Sequence, residues 1–539
     1  MKAAFKRRYI LLIAAFLIVT TAFVQANDLF FQIKKQMTIF SDAYKEIAIR
    51  YVDEVSPETL MKNAVNGMLS ELDPYTVFVD EGEQQQLEII SSGSYGGIGI
   101  EAGFRGDRIV VIAPMDGYPA QRAGIRPGDV IEEINGVEIR DITPEEVQRL
   151  TIGDVGSEIE IVIERSGVDR PISFTLERER IEVKNISYYG FADAENSIGY
   201  VQLNRFGNQT GEELREALLD LKNQSELNGL ILDLRNNPGG LLNEAVEVVD
   251  KFLEPGITVA ETRSRFESQN SVYATEEPPL FEDLPLTVLI NSGSASASEI
   301  VAGALQDLDR AVIFGEKSFG KGLVQTIRPL SYNTSLKITV SKYLIPSGRS
   351  IQSIQYQDED NGIRTFKTRN GRDVRDGNGI EPDVLGQENI PSQLDVALKQ
   401  DNYYFFYVNK KLRNSGFDSG EAPTSLYREF VQELIEEGFT FYTSADEHIE
   451  ELERQFRDIV EQEDAEENIS ELKAMLRDYK IAQIYDSREY IENELQREWI
   501  SQTMDGEERQ HSLLQLDNDV QQSLELILDR GRYESILKP

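Results

Sequence analysis

Three short apolar runs constrain this chain more than anything else in it: GLILDLR (229–235), PLTVLIN (285–291) and RAVIFGE (310–316). Each is close to uniformly apolar, as expected of a strand covered on both faces, and not of a strand with one wet side. The first two pass through a small-residue turn into an amphipathic helical pattern, GGLLNEAVEVVDKFL (239–253) and EIVAGALQDL (299–308). A further pair precedes them, with SIGYVQLNRF (197–206) reading as a strand and GEELREALLDLK (211–222) as a helix. Repeated βα units of this kind predict a layered α/β core. GLVQTIRPL (322–330) and SLKITVSKYLI (335–345) then read as a β-hairpin.

The regions on either side have a different character. At 539 residues the chain is too long for one ordinary domain. Residues 1–26 read as a signal peptide. Lys2, Lys6, Arg7 and Arg8 precede an apolar run from Tyr9 to Val24, and Val24-Gln25-Ala26 is a small-residue cleavage site. An uncleaved anchor is the alternative; either way the body is exported, to the periplasm or cell envelope. Residues 27–82 read as a helical N-terminal module suited to packing or dimerisation. Ala43, Ile47, Tyr51 and Val52 share helical spacing, Ser56-Pro57-Glu58 opens a second helix through Leu60, Ala64, Met68 and Leu72, and Leu72-Asp73-Pro74-Tyr75 stops it. Residues 83–180 alternate short β runs with two small helical patterns, Ala120–Ala123 and TPEEVQRL (143–150). Residues 387–539 are helical and acidic. Leu426, Phe430 and Leu434 share one face, as do Leu452, Phe456, Ile459 and Val460, and the segment shows no chemistry of its own. Its role is left open between binding a partner and binding the protein's own core.

Composition narrows the chemistry. A net charge of −39 repels phosphate backbones, so nucleic acid is not an expected partner. Cysteine is absent, which excludes disulfides, a thiolate nucleophile and Cys-ligated metal. The two histidines, His448 and His511, both lie in the acidic C-terminal part. A hydrolase built on this chain is therefore expected to use a base other than histidine, and His-ligated zinc is equally awkward.

Two stretches carry candidate chemistry. SGSASASEIVAG (292–303) holds Ser292, Ser294, Ser296 and Ser298 ahead of a helical pattern, and Ser296 to Glu299 fits a capping box. Taken alone it is a helix start, although free amides and the positive dipole end beside such a serine also suit a developing oxyanion. GEKSFGKGLVQ (315–325) partly fits a phosphate-binding loop, but position 322 is glycine where a Ser/Thr is needed, and an alternating β pattern follows where a helix is needed. Lys321, between two glycines and beside an apolar strand, can serve as a general base once desolvation leaves its amine neutral. Gln325, four residues on, falls on the same strand face and is placed to orient that amine. A surface lysine in a glycine turn is the plain alternative.

Together these motifs resemble the carboxyl-terminal processing peptidases, also called tail-specific proteases. The resemblance rests on GMLSELDPYT (67–76), DLRNNPGGLL (233–242), NSGSASASEIVAGALQD (291–307), GEKSFGKGLVQ and GNGIEPDV (377–384), in family order over roughly residues 40–386. Residues 83–180 resemble a PDZ domain through Gly97-Ile98-Gly99-Ile100, the block AGIRPGDVI (123–131) and Ile134-Asn135-Gly136.

The resemblance implies a Ser-Lys serine endopeptidase with Ser296 as nucleophile, Lys321 as general base and Gln325 as its support. It implies an oxyanion hole from the backbone N–H groups of Gly240 and Ala297, and neither metal nor organic cofactor. The fold implied is multidomain α+β, with a crotonase-like ββα spiral core (181–386) and an inserted PDZ domain. Gly97, Ile98, Gly99 and Ile100 would receive the carboxylate of an apolar C-terminal tail, the peptide adding as a strand. The partners implied are protein or peptide substrates with apolar C-termini; an adaptor or regulatory protein is a further candidate, and the N-terminal and tail helices offer a way to pair two copies of the chain. The rivals are a non-catalytic PDZ scaffold or adaptor on a protease-like core, and a crotonase-like acyl-CoA enzyme.

Overall fold

A computed structural model of the protein describes residues 30–84, 93–105, 108–140, 142–165, 167–353, 363–386, 392–415, 422–456, 462–504 and 506–538. The proposed signal peptide lies outside these residues, as do Ile459 and Val460. Contacts divide the chain into one unit of residues 1–84 with 325–339 and another of 85–324 with 340–539.

In the larger unit the apolar runs form the middle of a six-stranded sheet. Its strands follow chain order: β1 (Ile186–Asp193), β2 (Ile198–Leu203), β3 (Gly229–Asp233), β4 (Leu286–Ile290), β5 (Val312–Gly315) and β6 (Val384–Leu385). β1 is antiparallel to β2, and all later neighbours are parallel. Every residue of β3, β4 and β5 is buried. The alternation of side chains along a strand explains how. Val201, Leu230, Leu232, Val288, Ile290 and Ile313 pack in one cluster with helices α1 (Thr210–Gln224), α2 (Leu242–Asp250) and α3 (Ala297–Asp307). Tyr200, Ile231, Leu289, Val312 and Phe314 point the other way.

That second face is covered by the end of the chain. Helices α4 (Gly506–Gln515), α5 (Asn518–Leu528) and α6 (Arg530–Leu537) place Leu514, Val520, Leu524, Leu526, Ile527, Tyr533 and Leu537 in the second cluster. The Tyr533 hydroxyl both accepts from the Leu286 N–H and donates to its carbonyl, each at 2.9 Å. Of the two destinations the sequence leaves open for the acidic tail, its last three helices take the protein's own core. Fully burying one such aliphatic side chain contributes about 1.5–3 kcal/mol, so the final segment is integral to this sheet.

The rest of the tail builds a separate helical core, with Leu398, Val408, Phe430, Leu434, Ile491, Leu495 and the sole tryptophan, Trp499. The helix Ser444–Phe456 buries no residue, as its charge run predicts.

The PDZ-like region forms a six-stranded antiparallel sheet around Ile109, Val111, Ile131, Ile134, Ile159, Ile161 and Ile163. Strand Ile100–Arg105 is at its edge, paired with Arg108–Pro114. The N-terminal boundary of this region is a two-stranded sheet, Ser94–Gly97 against Glu179–Glu182.

In the smaller unit, residues 30–50 are helical and the helix Pro57–Leu69 starts at Ser56, whose hydroxyl accepts the Thr59 N–H. Proline at the first helical position suits this start. Residues Val77–Val79 pair with Lys337–Ser335 of the expected hairpin arm. Among the described residues no helix is long and apolar enough to cross a membrane.

Candidate active site

The four alternating serines are made unequal by burial. Ser292 is exposed. Ser294 and Ser298 are fully buried, and their hydroxyls donate to the Leu234 and Asn237 carbonyls at 2.8 and 2.9 Å. Ser296 is half-buried at the N-cap of α3, with φ 56° and ψ −112°. A non-glycine residue held there costs about 1–3 kcal/mol and persists only where its surroundings over-determine it.

Glu299 is the main part of those surroundings. The capping pattern anticipates its bond to the Ser296 N–H, 2.8 Å from Oε2. The same oxygen also accepts the Lys321 N–H at 2.8 Å, so the two backbone nitrogens lie within twice that distance of each other. Oε1 accepts from the Gly320 N–H at 2.7 Å and the Ser318 hydroxyl at 2.5 Å. One carboxylate thus gathers four donors from both candidate stretches. Burial raises its pKa, and the Ser318, Lys321, Ser296 and Gly320 hydrogen bonds offset part of that rise.

On the carbonyl side the buried Tyr343 hydroxyl lies against both the Ser296 oxygen, at 3.3 Å, and the Lys321 oxygen. The same two residues are therefore gripped at N–H by Glu299 and at C=O by Tyr343. The flanks of Lys321 are glycine for a steric reason: a Cβ on Gly320 would meet the Ser353 Cβ at 2.6 Å, and one on Gly322 the Gln352 nitrogen at 2.7 Å. Lys321 itself is half-buried and is followed by the strand Leu323–Pro329, which excludes the phosphate-loop reading.

The Leu234–Gly240 turn backs onto the serine segment. The Asn237 carbonyl accepts the Ala295 N–H at 3.0 Å, and the Asn237 side chain ties the turn to Leu203 and Gly239. Gly239 at φ 97° has no room for a side chain, since its Cβ would sit 2.8 Å from the Ser296 Cβ and the Ala297 nitrogen. Gly240 bridges to Phe206 beside it. Among the described residues neither the Gly240 nor the Ala297 N–H has an acceptor. Ala297 opens a helix in which every residue is buried, so its amide carries the helix's positive end in a dry setting.

Gln325 belongs to the smaller unit. Its amide donates to the Thr339 hydroxyl at 3.3 Å, and Thr339 donates to Asp73 at 3.1 Å. Asp73 also accepts from Tyr75 and Thr76, so the LDPYT stretch forms a closed turn supporting the glutamine's partner.

In the PDZ-like region Gly97 is paired in its short sheet, and Ile98 is buried in the region's core with its carbonyl accepting from Ala120. Gly99 adopts φ 71°, and Ile100 begins the edge strand.

The chain matches peptidase family S41 over residues 197–359. It is 38% identical over 394 residues to a carboxy-terminal-processing protease of Bartonella bacilliformis, covering 72% of this chain and 84% of that relative. The chain belongs to the carboxy-terminal-processing protease family. It is thus a serine-type peptidase of family S41. A probable CtpA-like serine protease of Staphylococcus aureus is 34% identical over 395 residues, covering 68% of this chain and 76% of that one. Residues 110–165 match a PDZ domain, 19–83 the activating protease CtpB N-terminal domain, and 394–527 the C-terminal helical domain of a probable PDZ-protease. A solved photosystem II D1 C-terminal processing protease is 27% identical at a TM-score of 0.38, covering 66% of this chain and 95% of that one.

Two residues central to this protease's geometry are absent from the sequence-based site. Glu299 is visible there only as a helix cap, and Tyr343 only as one residue of the hairpin run 335–345. The capping pattern is the one signal that could have flagged Glu299; nothing local marks Tyr343.

Proposed function

We propose that the protein is an exported endopeptidase that cleaves by a Ser-Lys acyl-enzyme mechanism. The observation that carries this reading is the Glu299 Oε2 atom, which joins the backbone N–H groups of Ser296 and Lys321. Ser296 Oγ attacks the scissile carbonyl while the neutral Lys321 amine takes its proton. The tetrahedral oxyanion is held by the Gly240 and Ala297 N–H groups. Lys321 returns the proton to the leaving amine, leaving Ser296 acylated. It then deprotonates the water that releases the second product. Gln325 is assigned as the lysine's support on the resemblance alone. A crotonase-like spiral is the corresponding reading of the core.

The PDZ domain is proposed to take apolar C-terminal tails at the Gly97–Ile100 loop. The edge strand Ile100–Arg105 supports this, because an edge offers unpaired backbone groups for an added strand. Export rests on the basic and apolar N-terminal stretch.

The test is cleavage of a protein with an apolar C-terminal tail by wild type, Ser296→Ala and Lys321→Ala across pH. Wild-type rates rising through one lysine-like ionisation, with both variants inactive, support the dyad. Equal cleavage by Lys321→Ala overturns it. Tail binding without turnover by wild type would replace the peptidase mechanism with a scaffold.

A further inference from the structure

Arg235 is the second residue of the Leu234–Gly240 turn that backs the serine segment. Its neighbour Leu234 holds the Ser294 hydroxyl, and Asn237 holds Ala295 and Ser298. Its guanidinium reaches two carboxylates, those of Asp233 and Asp517. Asp233, 1% exposed, takes Nε at 3.0–3.1 Å and Nη2 at 2.6 Å, and also accepts the Tyr200 hydroxyl at 2.7 Å. Asp517 takes both terminal nitrogens, Nη1 at 3.1 Å and Nη2 at 2.8 Å, in the paired geometry suited to a guanidinium. Asp519 adds a longer contact at 3.4 Å.

Asp517 lies 282 residues further along the chain and caps α5, accepting the Asp519 and Val520 N–H groups. The helix is held to the sheet by Val520, Leu524, Leu526 and Ile527. The acidic tail therefore delivers a fixed anion to a turn on which the proposed oxyanion hole depends.

We propose that Asp517 is a positioning residue of the peptidase: it clasps Arg235 and thereby holds the Leu234–Gly240 turn in register with Ser296. This makes the C-terminal helical segment a working part of the active site. The proposal rests on the assignment of Gly240 to the oxyanion hole.

Asp517→Asn is the informative variant, because asparagine caps a helix as well as aspartate does while lacking the charge. The full chain would be assayed with a short chromogenic peptide, for wild type, Asp517→Asn, Arg235→Gln and the double variant, with Ser296→Ala as a blank and circular dichroism as a check on folding. The expected result is a kcat about 10–100-fold lower for Asp517→Asn, with KM changed less than threefold. In the Arg235→Gln background the same change should have little further effect, the signature of two residues acting as one unit. Wild-type kcat in Asp517→Asn overturns the clasp while leaving the peptidase reading intact. A loss that persists undiminished in the Arg235→Gln background also overturns it, because Asp517 would then act only on its own helix. Activity in Ser296→Ala would instead sink the assignment of the site itself.

Discussion

The two ends of α3 are both buried and both acidic, yet they are built in opposite ways. At the N-terminal end Glu299 is held by three backbone N–H groups and a hydroxyl. At the C-terminal end Asp307 is paired with Arg349 at 2.9 Å, and both side chains are essentially inaccessible. Asp309, one residue beyond the helix's C-cap, is paired with Arg372, which also reaches Asp383. The helix field accounts for the contrast. Amide donors and the positive dipole end can hold an anion without a cation, whereas an acid at the negative end needs a guanidinium. The difference teaches that a buried acid takes its partners from the helix end at which it sits, amides at the N-terminus and a guanidinium at the C-terminus.

The comparison can be broken most sharply at Ser296. Ser296→Ala should lower kcat by about 10³-fold or more while leaving the denaturant midpoint near wild type; a peptidase assay alongside urea unfolding checks both. Next comes the other end. Arg349→Met should cost about 3–5 kcal/mol by stranding Asp307, yet leave kcat per folded molecule close to wild type. Adding Asp307→Leu should restore most of that stability, and a failure to recover would mean the pair does more than neutralise itself.

A smaller effect on both properties is expected from Glu299→Gln, whose amide NH₂ faces N–H donors. Turnover should fall about 10–100-fold and stability by about 1–3 kcal/mol. The smallest effect is its pH dependence. Burial raises the Glu299 pKa, so the carboxylate takes up a proton more readily in the folded chain than in the unfolded one. The associated stabilisation is complete below the ordinary glutamate value of about 4.3 and is lost as pH rises through the raised value. The stability gap between wild type and Glu299→Gln should therefore narrow from pH 5 upward, as unfolding midpoints would show. A gap constant over that range would mean that Glu299 stays ionised throughout.

Much of this was legible in the sequence. The uniformly apolar runs at 229–235, 285–291 and 310–316 required a sheet covered on both faces, because a one-sided strand alternates. The motifs around Ser296 and Lys321 marked the candidate dyad, and the lack of cysteine and scarcity of histidine made a lysine base the economical choice. What covers the second face of the sheet was not legible. The helices 506–538 read as an acidic tail because each keeps a solvated side, and their apolar stripe does not name its partner.

Only the tertiary structure decided the inner workings of the site. It turned a capping glutamate into the bridge between Ser296 and Lys321, set the Tyr343 hydroxyl against both their carbonyls, and brought Asp517 to Arg235 across 282 positions. The physical reason is common to all three. Local pattern reports which surface a residue must bury, whereas a buried carboxylate, hydroxyl or guanidinium is satisfied by whichever partner packing brings within hydrogen-bond reach, at any distance along the chain.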